Sequence, residues 1–173
     1  NPMTAFRIKS SSGLTLEGGP VTVFEGDSYV GEAMLDTMRK QEERITPYSV
    51  ELGVTVKHEV KSNAKQTKVT KSGHHIYKHY RQLAQTRYDF SSRLDRSVDC
   101  YLDHRFSYEV REDTPDPVEI TENFWRFKTE LEAKKTTSFT VTEVSEQYES
   151  IEIRGIARTA IHQMAGLAAI AGL

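Results

Sequence analysis

The chain has a single cysteine, Cys100, among its 173 residues. That excludes an internal disulfide and a cysteine-based zinc cluster within the chain. It leaves the compartment open, because envelope domains can lack disulfides. An excess of one charge is missing too: 23 Lys+Arg nearly cancel 25 Asp+Glu. Near neutrality offers no broad electrostatic footprint for nucleic acid or an anionic membrane. It also argues against wholesale disorder, which needs high net charge together with low hydrophobicity. Hydrophobic residues make up 37% of the chain, below the usual share, yet at this length they suffice for one domain with a core. No uninterrupted apolar run is long enough for a membrane. The longest apolar segment, GIARTAIHQMAGLAAIAGL (155–173), contains Arg158, His162 and Gln163. A spanning helix needs roughly 20 predominantly apolar residues, so no membrane span is expected. No basic, then apolar, then small-residue leader opens the sequence. The chain begins at Asn1, not at Met, and is expected to be a piece of a longer protein.

What is present is alternation. Phe6 and Ile8 alternate with Ala5 and Arg7, which suits a first strand. Ser10–Gly13 and Glu17–Pro20 read as turns, with Gly19 and Pro20 preceding a second strand, Val21–Phe24. Gly26-Asp27 reads as a bend into a returning strand, Tyr29–Ala33, which makes a hairpin. A phosphate-binding loop is a poor reading of these glycines. They lead into Val-Thr-Val-Phe, not a helix, and no Gly-Lys-Ser/Thr follows.

In LGVTVKHEV (52–60) Leu52, Val54, Val56, His58 and Val60 fall on one face, the mark of a half-buried strand. Asn63 is expected to turn the chain, Gln66–Lys71 to form a short polar return, and Ser72-Gly73 to break it again. His74–Ser92 reads as extended, because Thr86, Tyr88 and Phe90 alternate. Val98, Cys100 and Leu102 share one face of a further strand, where Cys100 acts as a small buried hydrophobe. Pro115 and Pro117 mark a loop over Glu112–Pro117. Trp125, Phe127 and Leu131 then share one strand face, and Thr137, Phe139 and Val141 another. These two strands are expected to form a second hairpin. The expected core is Leu52, Val54, Val56, Val98, Cys100, Leu102, Trp125, Phe127, Phe139 and Val141. From Ile153 the residues become small and helix-compatible. The pattern predicts an all-β, antiparallel, sandwich-like domain over 1–152 and an Ala-rich C-terminal α-helix over 153–173.

Three stretches carry a resemblance: Gly13-Leu14-Thr15-Leu16, Gly19-Pro20-Val21-Thr22-Val23-Phe24 and Tyr29-Val30-Gly31-Glu32-Ala33. Together they resemble the signature of the bacterial "domain of unknown function 4139" family, the β-rich C-terminal domain of mucoidy-inhibitor-like proteins. Tyr101–Arg105, Trp125-Arg126-Phe127 and Thr136–Thr142 are similar to its later portion. The resemblance covers roughly residues 3–145. It implies a bacterial, β-rich module, cytoplasmic or envelope-associated, and supplies no catalytic residue or cofactor.

Candidate chemistry is sparse. His75 and His79 lie four apart, but the Glu of the zinc-protease helix motif is absent. On a strand they would stand about 13 Å apart, too far to share an ion. Asp99, next to Cys100, points to the opposite strand face, so a thiol nucleophile is not expected. Asp99 and Asp103 share a face at about 13 Å, wide for a glycosidase pair, and read as a solvated face. No metal, cofactor or catalytic residue is assigned.

The best binding surface is Tyr77, Lys78, Tyr80 and Tyr101. The run Lys57, Lys61, Lys65, Lys68, Lys71 and Lys78, with Tyr77 and Tyr80, is better read as guarding an exposed edge strand than as tracking nucleic acid. The leading expectation is a non-catalytic interaction or assembly module that docks a protein partner or another copy. Ile161, Met164, Leu167 and Ile170 of the tail would form its contact face. The alternatives are a module that binds envelope polysaccharide through its tyrosines, and a hydrolase with a His/Asp site built on His75 or His104.

Overall fold

A computed structural model describes residues 1–11 and 13–153. Among these the chain is nearly all β, with several antiparallel sheets and no α-helix. The tail expected to be helical, with Ile161, Met164, Leu167 and Ile170, lies outside the described residues. The chain divides into two compact units. Among the described residues, the first holds Asn1–Val56, Phe90–Ser97 and Glu132–Thr136, and the second holds Lys57–Asp89, Val98–Leu131 and those from Thr137 on.

In the first unit, β1 (Met3–Lys9) pairs with β4 (Glu43–Val50), and β2 (Gly19–Glu25) pairs with β3 (Ser28–Leu35). No strand is expected over β4 from the sequence, and the strand contains Pro47. Between Thr4 and Ala5 the register shifts, so Ser49 and Pro47 face consecutive residues of β1 and Tyr48 bulges out. A proline without an N–H is tolerated beside such a bulge. The β2–β3 hairpin turns on Gly26-Asp27 as expected. Gly26 has φ +60° and is alone in doing so at this turn, which suits a type II′ turn with Gly in first place. Gly19 and Pro20 do not form a turn. They already pair with Leu35 and Met34 inside the hairpin, since an edge position asks for no outward donor from Pro20. Leu35, Met38, Val54 and Phe90 are buried here. Leu52 is not in the core but 85% exposed. It sits in a turn held by the Glu51 carboxylate, which accepts from Gly53 N at 2.7 Å, so the strand begins only at Val54.

Most of the second unit is a four-stranded and a three-stranded sheet. The four-stranded sheet runs in the order β5 (Val54–Ser72), β6 (His75–Ser92), β11 (Thr136–Glu152), β8 (Val110–Glu112). The three-stranded sheet runs β7 (Val98–His104), β10 (Trp125–Leu131), β9 (Glu119–Ile120). The turn expected at Asn63 and the return over Gln66–Lys71 are absent, because β5 continues to Ser72. The local preference of Asn63 is outweighed by pairing with an 18-residue neighbour, β6. The reversal falls instead at Gly73, with φ +57°.

β10 and β11, expected to form a hairpin, belong to different sheets. β10 pairs with β7 from Trp125↔His104 to Leu131↔Val98. The apolar faces of the two consecutive strands meet instead of their edges, and the Phe127 and Phe139 rings lie 5.1 Å apart. Leu102, Trp125, Phe127, Leu131, Val141 and Val144 are buried in this unit.

Candidate functional site

Alternation explains how polar groups come to be buried in the second unit. His104 continues the inward row of Cys100 and Leu102 on β7, and Glu143 continues the row of Phe139 and Val141 on β11. Tyr88 lies on β6, in the row of Thr86 and Phe90. These three side chains meet. His104 Nδ1 lies 2.8 Å from the Tyr88 hydroxyl, and Nε2 lies 2.9 Å from Glu143 Oε1. Glu143 Oε2 accepts from the backbone N–H groups of Ser107 at 2.5 Å and Tyr108 at 2.6 Å. His104 is 2% exposed and Glu143 is 3% exposed.

Aromatic rings enclose the pair. Trp125 stacks on His104 at 6.0 Å and on Phe106 at 4.7 Å. The Arg111 guanidinium stands 5.1 Å over the Trp125 ring. Arg111 neighbours Glu143 in register across β8 and β11. Burial, then the charge of Glu143, pushes the Tyr88 hydroxyl above the usual tyrosine range.

With a neutral ring, the network assigns the tautomer: Nε2 donates to the carboxylate and Nδ1 accepts from Tyr88. A general base needs a lone pair within reach of a substrate. Both nitrogens of His104 are instead occupied by protein groups. The cluster's clear physical consequence is to tie β6, β7, β11 and the loop after His104 together. A signal for it existed in the sequence, since His104 and Glu143 each occupy an inward position of an apolar row. What the sequence lacked was the pairing, because the two residues are 39 positions apart.

The residues singled out earlier lie elsewhere. Tyr77 packs edge-on against Tyr148 at 5.9 Å, with His75 at 6.2 Å on its other side. Tyr148 also lies 6.2 Å from His79, whose Nε2 is 2.9 Å from Thr70 Oγ1. Tyr80 sits three residues from Tyr77 and so leaves the opposite face; its hydroxyl donates to Glu149 Oε2 at 3.4 Å. Lys78 shares the face of Tyr80. Tyr101 is on β7 of the three-stranded sheet, in register with Lys128 of β10. The structure thus brings Lys78 and Tyr80 to one face and leaves Tyr77 and Tyr101 apart from them.

The aspartates form cross-strand ion pairs. Asp103 takes Arg126 in two contacts, at 2.6 and 2.8 Å, and Asp99 takes Lys128 at 2.8 Å. Arg126 also reaches Glu119 at 2.6 Å and so links β7, β10 and β9. Burial pushes the half-buried Cys100 thiol up to about 11, so at neutral pH it is a thiol and not the nucleophilic thiolate. Among the described residues, no group of three or more His, Cys, Asp and Glu could hold a metal ion, and no helix is long and apolar enough to cross a membrane. Compared with protein-family models, with curated proteins and with solved structures, the chain matches none.

Proposed function

We propose that this chain is a non-catalytic interaction and assembly module of a larger bacterial protein, with a sandwich-like second unit and a helical tail. The observation that carries the reading is the outward face of the β2–β3 hairpin. Phe24, Tyr29 and Met34 are 61%, 59% and 67% exposed, and Pro20 stands beside Met34 in register. Phe24 and Tyr29 contact each other edge-on at 6.1 Å. Apolar pairs on one face, here Phe24 with Tyr29 and Pro20 with Met34 on either side of Thr22 and Glu32, mark an interaction surface more strongly than single exposed residues. The polar groups most suited to chemistry, His104 and Glu143, are meanwhile consumed in a buried tie.

The test is light scattering coupled to size exclusion on three proteins: the chain, a chain ending at Arg154, and the F24S/Y29S/M34S variant. An assembly module gives a larger mass that falls in at least one of the two altered proteins. A monomer in every case removes the reading. Replacing Glu143 with Leu tests the buried tie to His104. As a structural tie, Glu143 should cost about 3–5 kcal/mol when one partner of a buried pair is removed, measured by urea unfolding. A loss near zero would remove the tie.

A second reading, polysaccharide binding, is favoured by the row His75, Tyr77, Tyr148 and His79, in which Tyr148 is the most exposed ring. Aromatic rings in a line suit the flat faces of sugars. Titration with glycan fragments should then quench tyrosine fluorescence in the parent and not in Tyr148→Ala; no change in the parent removes this reading.

A further inference from the structure

The four-stranded sheet has two open sides among the described residues. β5 stands at one end of the order and has β6 as its only neighbour. At the other end, β8 pairs with β11 at Thr142, Glu143 and Val144 only. From Ser145 to Glu152 the outer side of β11 therefore faces no strand among the described residues. Open strand edges invite pairing with another chain.

The two edges carry opposite charge. β5 presents Lys57, Lys61, Lys65, Lys68 and Lys71 against a single Glu59, all of them exposed. β11 presents Glu146, Glu149 and Glu152, all exposed, and has no lysine or arginine from Ser145 to Glu152. Among the described residues, the only ion pair made by these side chains is Lys61 with Glu59 at 3.5 Å.

Guarding an edge with lysine explains β5 taken alone. It does not account for an acidic opposite edge. Like charges oppose β5–β5 and β11–β11 contacts, whereas the unlike edges attract.

The spacing adds to this. Lys65, Lys68 and Lys71 recur every third residue, and so do Glu146, Glu149 and Glu152. When two strands pair in register, residues side by side share a face. Equal spacing therefore sets each of these lysines beside a glutamate on a common face, whichever direction the strands run.

We propose that β5 of one copy pairs with the Ser145–Glu152 segment of β11 of a second copy, extending the sheet from chain to chain. This rests on the assembly-module reading above and names its partner. The contact joins two different patches, so it repeats head to tail and builds a ring or an open chain of copies.

The test is sedimentation velocity over a concentration series, with the parent and two triple variants, K65E/K68E/K71E and E146K/E149K/E152K. Circular dichroism and melting curves check that each variant is folded. In the first variant both edges are acidic, and in the second both are basic. Each alone should associate roughly tenfold or more weakly than the parent, the effect of losing three exposed ion pairs. An equimolar mixture should restore association, because every contact in it again joins unlike edges.

A second measurement does not depend on the triple variants. In a Cys100→Ser background, copies with Lys68→Cys are mixed under oxidising conditions with copies carrying Glu149→Cys. A disulfide-linked dimer of the two, exceeding either self-linked dimer, is the expected result.

Parent-like association in both variants, or no preferential cross-link, overturns edge pairing. If the F24S/Y29S/M34S change or the shortened tail then abolishes association, the module reading survives alone. A parent that stays monomeric throughout removes both.

Discussion

Trp125 joins several parts of the second unit. It is buried, stacks on His104 and Phe106, and carries the Arg111 guanidinium over its ring. Trp125→Ala should cost about 3–5 kcal/mol in urea unfolding; a loss near zero would place the core elsewhere. Cys100 gives a prediction with a definite sign. Burial raises its thiol from 9.0 to about 11 in the folded chain. The folded state thus keeps a proton over a pH range in which the unfolded state releases it. The stabilisation is complete below the unfolded value and is lost as pH rises from 9.0 towards about 11. The melting temperature should therefore fall across that window, and Cys100→Ala should fall less steeply. Tyr88, also raised, adds to the decline above its ordinary value of 10.0.

Among the elements, the β2–β3 hairpin is shaped by a close approach. At Gly31, with φ +156°, an added Cβ would stand 2.5 Å from the Tyr48 carbonyl oxygen of β4. Gly31→Ala must push backbone aside, at a cost of about 1–3 kcal/mol. Gly19, in the same hairpin, has nothing within 4 Å of an added Cβ, and Gly19→Ala should leave the urea midpoint almost unchanged. Equal effects at the two glycines would disprove the close approach. The hairpin's strands and its Gly26-Asp27 turn were legible from alternation and glycine placement, because both are local. The bulge that admits Pro47 was not, since it depends on the register of β1 against β4. The Asn63 turn failed for the same kind of reason. A local turn preference yields to pairing with a neighbouring strand of 18 residues.

At the scale of the whole molecule, the proposed pairing of oppositely charged edges should be sensitive to salt. Raising the salt from about 0.1 M to about 1 M shortens the screening length from roughly 10 Å to 3 Å. Self-association through β5 and β11 should weaken across that range in sedimentation velocity. Association through Phe24, Tyr29 and Met34 should hold or strengthen if the added salt is a sulfate. The direction of the salt effect therefore reports which surface dominates.

Alternation and turn residues by themselves determined that the chain is β-rich, where most strands lie, and that Trp125, Phe127 and Val141 face inward. Each of these follows from side-chain direction along one strand, which local sequence specifies. Tertiary structure alone decided which strands are neighbours. It placed β10 and β11 in different sheets, brought His104 to Glu143 and Tyr88, and left one basic and one acidic edge on a single sheet. Those outcomes depend on contacts between residues far apart in the chain, where packing of apolar faces outweighs the tendency of consecutive strands to pair.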